Sequence, residues 1–277
     1  MTNPARSAAP AAAPPATRAR AKKKGRSQSQ NQRLLMLVSP IVLLGFWEAA
    51  IQMGLGDRRF IPPPSQIAVR FEQLMMSGEL PTHIGVSLYR IAVGYVIGVI
   101  PAIALGLWMA MSRTVRYLVD PLVAALFPIP KIALTPLLLL ALGFGEASKI
   151  ALVAIATFFP VIINTFAGAS NIEKIYIDAA RNFGASKTVM FRRVVFFGAL
   201  PMIFAGLRLA MGISFIVIVA AEFVAAKTGI GQLIWASWEL MQVDRMFVGI
   251  VVIGILGMIF TVALNEVERL VIPWKAD

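Results

Sequence analysis

Six stretches of about 20 predominantly apolar residues divide the chain, and that is the length an α-helix needs to cross the hydrocarbon core of a bilayer. They cover residues 34–53, 91–111, 121–142, 150–168, 202–224 and 246–265. The charges inside them are Glu48, Lys131, Arg208 and Glu222. Arg90 stands at the entrance of the second stretch, where a long side chain can snorkel to the interface. A shorter apolar piece, 229–238, is too short to cross and reads as a re-entrant or interfacial segment. The third stretch is unusual in holding Pro121, Pro128, Pro130 and Pro136. The pattern predicts an all-α integral membrane protein with about six transmembrane helices.

Finer periodicities refine this outline. Gly94, Gly98, Ala102, Gly106 and Ala110 recur every fourth residue of the second span, and Gly206, Ala210 and Ser214 do so in the fifth. Small residues at that spacing line one helix face and let two backbones approach closely in lipid. The spacing points first to tight packing inside one bundle, with a subunit interface as the alternative. After the first span, Pro62, Pro63 and Pro64 hold an extended segment, and Ser65 is placed to cap a helix. Ile67, Phe71, Leu74 and Met75 then fall on one helical face, as expected of an amphipathic helix on the outer membrane surface.

Composition supports the membrane reading. The chain of 277 residues is 58% hydrophobic and 14% charged, against about 25% charged in soluble domains, which excludes an ordinary water-soluble enzyme. There is no cysteine, so disulfides and thiolate chemistry are excluded. The one histidine, His83, is assigned no role. The net charge of +12 is concentrated in residues 1–33, which carry eight basic residues and no acid. That segment lacks apolar periodicity and is expected to be a disordered basic cytoplasmic tail. Basic residues before a first span set orientation and meet anionic headgroups, so its expected partner is membrane lipid and not nucleic acid. With the N-terminus inside, seventeen basic residues lie in inner segments and six in outer ones. Both termini are therefore expected in the cytoplasm.

The inner segment 170–201 is long for a link between helices. Ser170 and Glu173 have the spacing of a capping box. A helix through Asp178, Ala179, Ala180 and Arg181 would follow, with Gly184 at its left-handed end. Ser186 would cap a second short helix. Taken alone, the residues favour an interfacial pair on lipid, with a docking knob for a cytosolic partner as the alternative.

Asp178-Ala179-Ala180-x-x-x-Gly184, followed by Phe191-x-x-Val194 and Ala199-Leu200-Pro201, resembles the EAA loop of ABC-importer permeases. The stretch from Phe127 to Leu137 resembles the proline-rich third span of the nitrate/sulfonate/taurine/bicarbonate type. So do Gly143 to Lys149, Ala205 to Arg208, Ala220 to Glu222 and Ile61 to Ser65. The resemblance covers roughly residues 60–275. Asp178 replaces the usual first Glu, and Phe197 stands where the family often has proline.

The resemblance implies a type I ABC importer permease (MetI-like) architecture in a bacterial inner membrane. It implies a transmembrane core at about 84–268 and an EAA coupling loop at 170–201, within a permease region 34–277. It also implies homodimers, ABC ATPase subunits inside and a solute-binding protein outside. On this reading Asp178, Ala179, Ala180, Gly184 and Pro201 couple to the ATPase. Lys131, Arg208 and Glu222 are candidates for the pathway because ionisable groups within spans are functional candidates. Glu222 is also placed to pair with Lys227, and Arg208 to snorkel. No G-x-x-x-x-G-K-[ST] loop is present, so the chain is expected not to be an enzyme. It would bind no cofactor itself, and ATP would be used by the partner. No metal site is expected. The alternatives are a secondary transporter driven by an ion gradient, which would often show inverted repeats, and a membrane enzyme, for which no catalytic motif is found. The substrate is not legible.

Overall fold

In a computed structural model of the protein, residues 26–274 are described. The tail residues 1–25 and the C-terminal 275–277, with Lys275, lie outside them. The described residues up to 49 form one unit and those from 50 onward another. Helix α1 (Arg26–Gln52) begins eight residues ahead of the expected span.

The second unit holds α2 (Pro64–Met76), α3 (Glu79–Met111), α4 (Arg113–Leu126), a 3₁₀ turn (Lys131–Leu134), α5 (Thr135–Leu142) and α6 (Glu146–Ser170). It continues with α7 (Lys174–Asn182), α8 (Lys187–Val189), a π-helical turn (Met190–Val195), α9 (Phe196–Ala225), α10 (Ile230–Glu239) and α11 (Val243–Val271). Among the described residues four helices are long and apolar enough to cross a membrane, or five if the bent pair α4–α5 counts as one span. The apolar part of α1, Val38–Gln52, is shorter.

The centre is three packed helices, α3 on α6 and α6 on α9. The small-residue stripes make this possible. A Cβ on Gly94 would lie 2.7 Å from Ile150 O, one on Gly98 2.3 Å from Ala154 O, and one on Gly106 2.9 Å from Ile162 O. On α9, Gly206 meets Asn164 at 2.9 Å in the same sense. These faces therefore pack within the bundle. In lipid there is no hydrophobic gain between helices, so dispersion across a close interface holds them together. Val99, Ala102, Ile162 and Ala210 fill one cluster between them, and Ile91, Val153, Phe215 and Ile218 another.

Several local outcomes differ from the sequence reading. The third span is broken: α4 and the Lys131–Leu142 segment meet at 91°. Pro128 and Pro130 remove backbone donors and clash with a continued helix. Helix α2 begins at Pro64, with no side-chain cap, so Ser65 sits inside the first turn and proline takes the position it favours. Its Ile67 and Leu74 are buried where α2 packs on α3 and α11, while Phe71 and Met75 are exposed. It is thus a packed helix with one outward apolar edge, not one resting on lipid alone. The capping box does not form, because α6 runs on through Ser170 and Glu173 makes no side-chain cap. Ser186 does cap the next helix, accepting from Val189 N at 3.4 Å. That helix does not end: Lys187–Val224 is one helix of 38 residues, which contains Pro201.

Candidate functional site

Of the candidate residues of the EAA loop, Asp178, Ala179, Ala180 and Gly184 lie together on α7 and the turn after it, while Pro201 sits apart inside α9. Helix α7 carries Asp178, Ala179 and Ala180 and buries none of its residues. Asp178 pairs with Arg181 at 3.6 Å, one turn on. Gly184 has φ 73°, the left-handed conformation that glycine adopts without strain. Gly184 N donates to Arg181 O at 2.9 Å and Ala185 N to Ala180 O at 3.0 Å, closing the helix end. Phe183 is 91% exposed, and Ile175 and Tyr176 are exposed beside it. α7 packs on the π-helical turn, so it is attached to the long helix that runs to the opposite end of the bundle.

The ionisable candidates are not brought together. Lys131 Nζ donates to the carbonyls of Leu126 (2.8 Å), Phe127 (3.1 Å) and Ile129 (2.9 Å). All three of its donors therefore cap the broken end of α4, with Phe159 beneath the ammonium at 4.3 Å. Arg208 is ion-paired with Glu268 of α11. Glu222, fourteen residues further along α9, lies about 21 Å away at 1.5 Å per residue.

Glu222 pairs not with Lys227 but with Arg90, and both residues are 1% exposed. Arg90 Nη1 donates to Glu222 Oε1 and to Thr228 O, both at 2.7 Å. Its Nε and Nη2 donate to the two oxygens of Glu146 at 2.5 and 2.6 Å. Ser87 Oγ donates toward Glu222 Oε1 (2.8 Å) and Oε2 (3.0 Å) and accepts from Ile230 N at 2.8 Å. Gly231 N donates to Glu222 Oε2 at 2.8 Å. His83 Nδ1 is 2.8 Å from Gly229 O and 3.0 Å from Gly229 N, so its tautomer decides which bond is made. Burying an arginine in lipid is costly unless every donor is met and the charge is compensated. Here four of its five donors are met, and the acceptors come from α6, α9 and the turn before α10.

The sequence reading missed Arg90, Glu146, Ser87 and His83. One signal was present: His83, Ser87 and Arg90 continue the Gly94–Gly98–Ala102 face of α3 by helical spacing. A pocket of about 470 Å³ opens beside this cluster, lined by Arg90, Glu146, Lys149, Lys227 and Thr228 among others.

A family described as "Binding-protein-dependent transport system inner membrane component" matches residues 102–273, from mid-α3 through α11. The chain belongs to this family. It is a multi-pass inner-membrane protein. It is similar to the taurine transport system permease protein TauC of Escherichia coli (strain K12), 34% identical over 85% of this chain and 88% of that one. A Bacillus subtilis (strain 168) permease protein named for aliphatic sulfonates transport, SsuC, is 31% identical over 86% of this chain and 87% of its own. The nitrate import permease protein NrtB of Synechocystis is 31% identical over 85% and 88% respectively. Among solved structures, the MetNI methionine ABC transporter in inward-facing conformations superposes with a TM-score of 0.58, covering 72% of this chain and 98% of that chain. At 18% identity that likeness establishes the MetI-like fold and nothing about cargo.

Proposed function

We propose that this chain is the membrane-spanning permease of an ATP-driven importer for a small organic or inorganic anion such as a sulfonate, taurine or nitrate. Two copies would form the pathway, with ABC ATPase subunits on the cytoplasmic side and a solute-binding protein outside. The termini and α7 would be cytoplasmic. The observation that carries the reading is α7: a short helix with exposed apolar side chains, held off the bundle by the Gly184 turn and rooted in the 38-residue helix Lys187–Val224.

The mechanism follows from that attachment. At 1.5 Å rise, the long helix extends about 57 Å. ATP binding would close the ATPase subunits on each other and displace the α7 of each permease. The rigid α9 would pass the displacement to its far end, where Glu222 ties α9 to α3 and α6 through Arg90. The spans would then rock between inward- and outward-open arrangements. Asp178 gives α7 a carboxylate for a basic groove, Ala179 and Ala180 let it seat closely, and Pro201 marks where the helix enters the bundle. Names of the relatives support an anionic cargo.

The test is reconstitution of the full chain with its ATPase and binding protein in proteoliposomes. ATP-dependent uptake of taurine, an alkanesulfonate or nitrate is expected. In Gly184→Val the left-handed turn is lost, so ATPase activity should persist while uptake falls at least about tenfold, the effect of roughly 1.4 kcal/mol. Unchanged coupled uptake in that variant would refute the docking role of α7.

A further inference from the structure

The pocket beside Arg90 has a composition that the import reading does not use. Arg90, Lys149 and Lys227 face a single lining carboxylate, Glu146. Glu222, sealed behind Arg90, is the second acid tied to this set. Three cations and two acids leave one positive charge. Arg90 does not supply the excess, because its donors are divided among Glu146, Glu222 and Thr228 O. Lys149 is 3% exposed, and its Nζ donates to Phe144 O at 3.1 Å and Gly145 O at 2.9 Å. An ammonium has three donors, so one remains at the pocket wall. Lys227 is exposed on the same pocket, which Thr228 also lines. A buried ammonium short of a partner is costly unless an anion completes it.

We infer that this pocket binds a monovalent oxyanion, a sulfonate, nitrate or phosphodiester group, between Lys149 and Lys227. It deepens the proposed function and rests on it for the claim that such an anion is cargo: the permease itself, and not only its external partner, would recognise the anionic group. Glu146 turns one face to the pocket while holding Arg90, so the incoming anion meets a cationic wall already oriented by two acids. A volume of about 470 Å³ is ample for a small sulfonate. The phosphodiester of an anionic lipid headgroup presents the same charge and oxygens.

The experiment uses the full-length chain in nanodiscs, with ethanesulfonate as probe and chloride holding the ionic strength constant. In phosphatidylcholine discs, ethanesulfonate should bind and raise the unfolding temperature. Lys227→Gln, an exposed change that leaves the packing intact, should weaken binding about tenfold, the loss of one charge-assisted contact. Lys149→Gln should do the same if it folds, and Lys174→Gln on α7 should not. Weaker ethanesulfonate binding in phosphatidylglycerol discs, levelled out by Lys227→Gln, would identify the headgroup as a competing occupant of the same site. Equal binding in both discs would leave the free anion as occupant. Absence of binding in both discs, or binding indifferent to Lys227→Gln, would overturn the inference. Neither ATPase nor binding protein enters this measurement, so its failure leaves the import reading standing. Equally, failed ATP-driven uptake would leave the pocket standing.

Discussion

Arg90 divides its guanidinium between two carboxylates of very different surroundings. The Glu222 side chain is wholly buried, whereas that of Glu146 is half exposed. Removing the arginine leaves Glu222 charged and uncompensated in a low-dielectric interior, which costs about 3–5 kcal/mol. Arg90→Gln is therefore expected to lower the unfolding temperature of the purified protein sharply. Glu146→Gln should cost much less, since water screens its side of the pair. The reverse order of melting temperatures would contradict this account. Gly229 is constrained by the same carboxylate: its φ is 133°, and a Cβ there would stand 2.3 Å from the Glu222 carboxyl carbon. Gly229→Ala should therefore resemble Arg90→Gln in stability, through displacement of the Glu222 side chain.

At the scale of elements, close helix approach and the broken third span make separable predictions. A leucine at Gly98 would meet the Ala154 carbonyl and Thr157 Oγ1, both 2.3 Å from where its Cβ would lie. Overpacking of this kind costs about 1–3 kcal/mol or more. Gly98→Leu should destabilise the protein, while Gly254→Leu on α11, where a Cβ meets nothing within 4 Å, should not. Lys131 belongs to this scale too. Lys131→Gln should lower stability by exposing three helix-end carbonyls, and the charge selectivity of uptake should stay as in the wild type. Altered selectivity with unaltered stability would return Lys131 to the pathway. The break around Pro128 and Pro130 was visible as composition, but its 91° angle was not. Proline prohibits a continued helix without dictating where the chain goes next, and the direction is set by the α4, α5 and α6 packing.

At the scale of the whole molecule, α3 and α6 run parallel and α9 antiparallel to both, which puts α7 and the Arg90 pocket at opposite ends. The chain has no cysteine, so a single introduced thiol reports its own side without background. Lys187→Cys should react with an impermeant maleimide only when the inner face is opened, and Lys227→Cys should react in intact cells. The opposite labelling would invert the topology proposed from basic residues. The long helix also makes the two ends mechanically one element. Perturbing the Gly184 turn is therefore expected to change how readily α9 moves at Glu222, and hydrogen exchange of α10 measured with and without ATP in the assembled importer would read it.

By itself the sequence determined where the four long apolar helices α3, α6, α9 and α11 fall, because hydrophobic length and four-residue spacing are local properties. It also determined the α7–Gly184 turn, because a short helix ending in a left-handed glycine needs only neighbouring residues. The tertiary structure alone decided the partners of the buried charges. Arg90 meets acids 56 and 132 positions away, and no periodicity along one helix says which distant helix will face it. It likewise decided that the glycine stripes serve α3, α6 and α9 within one bundle. A stripe states that something must come close, and only the packed helices say what does.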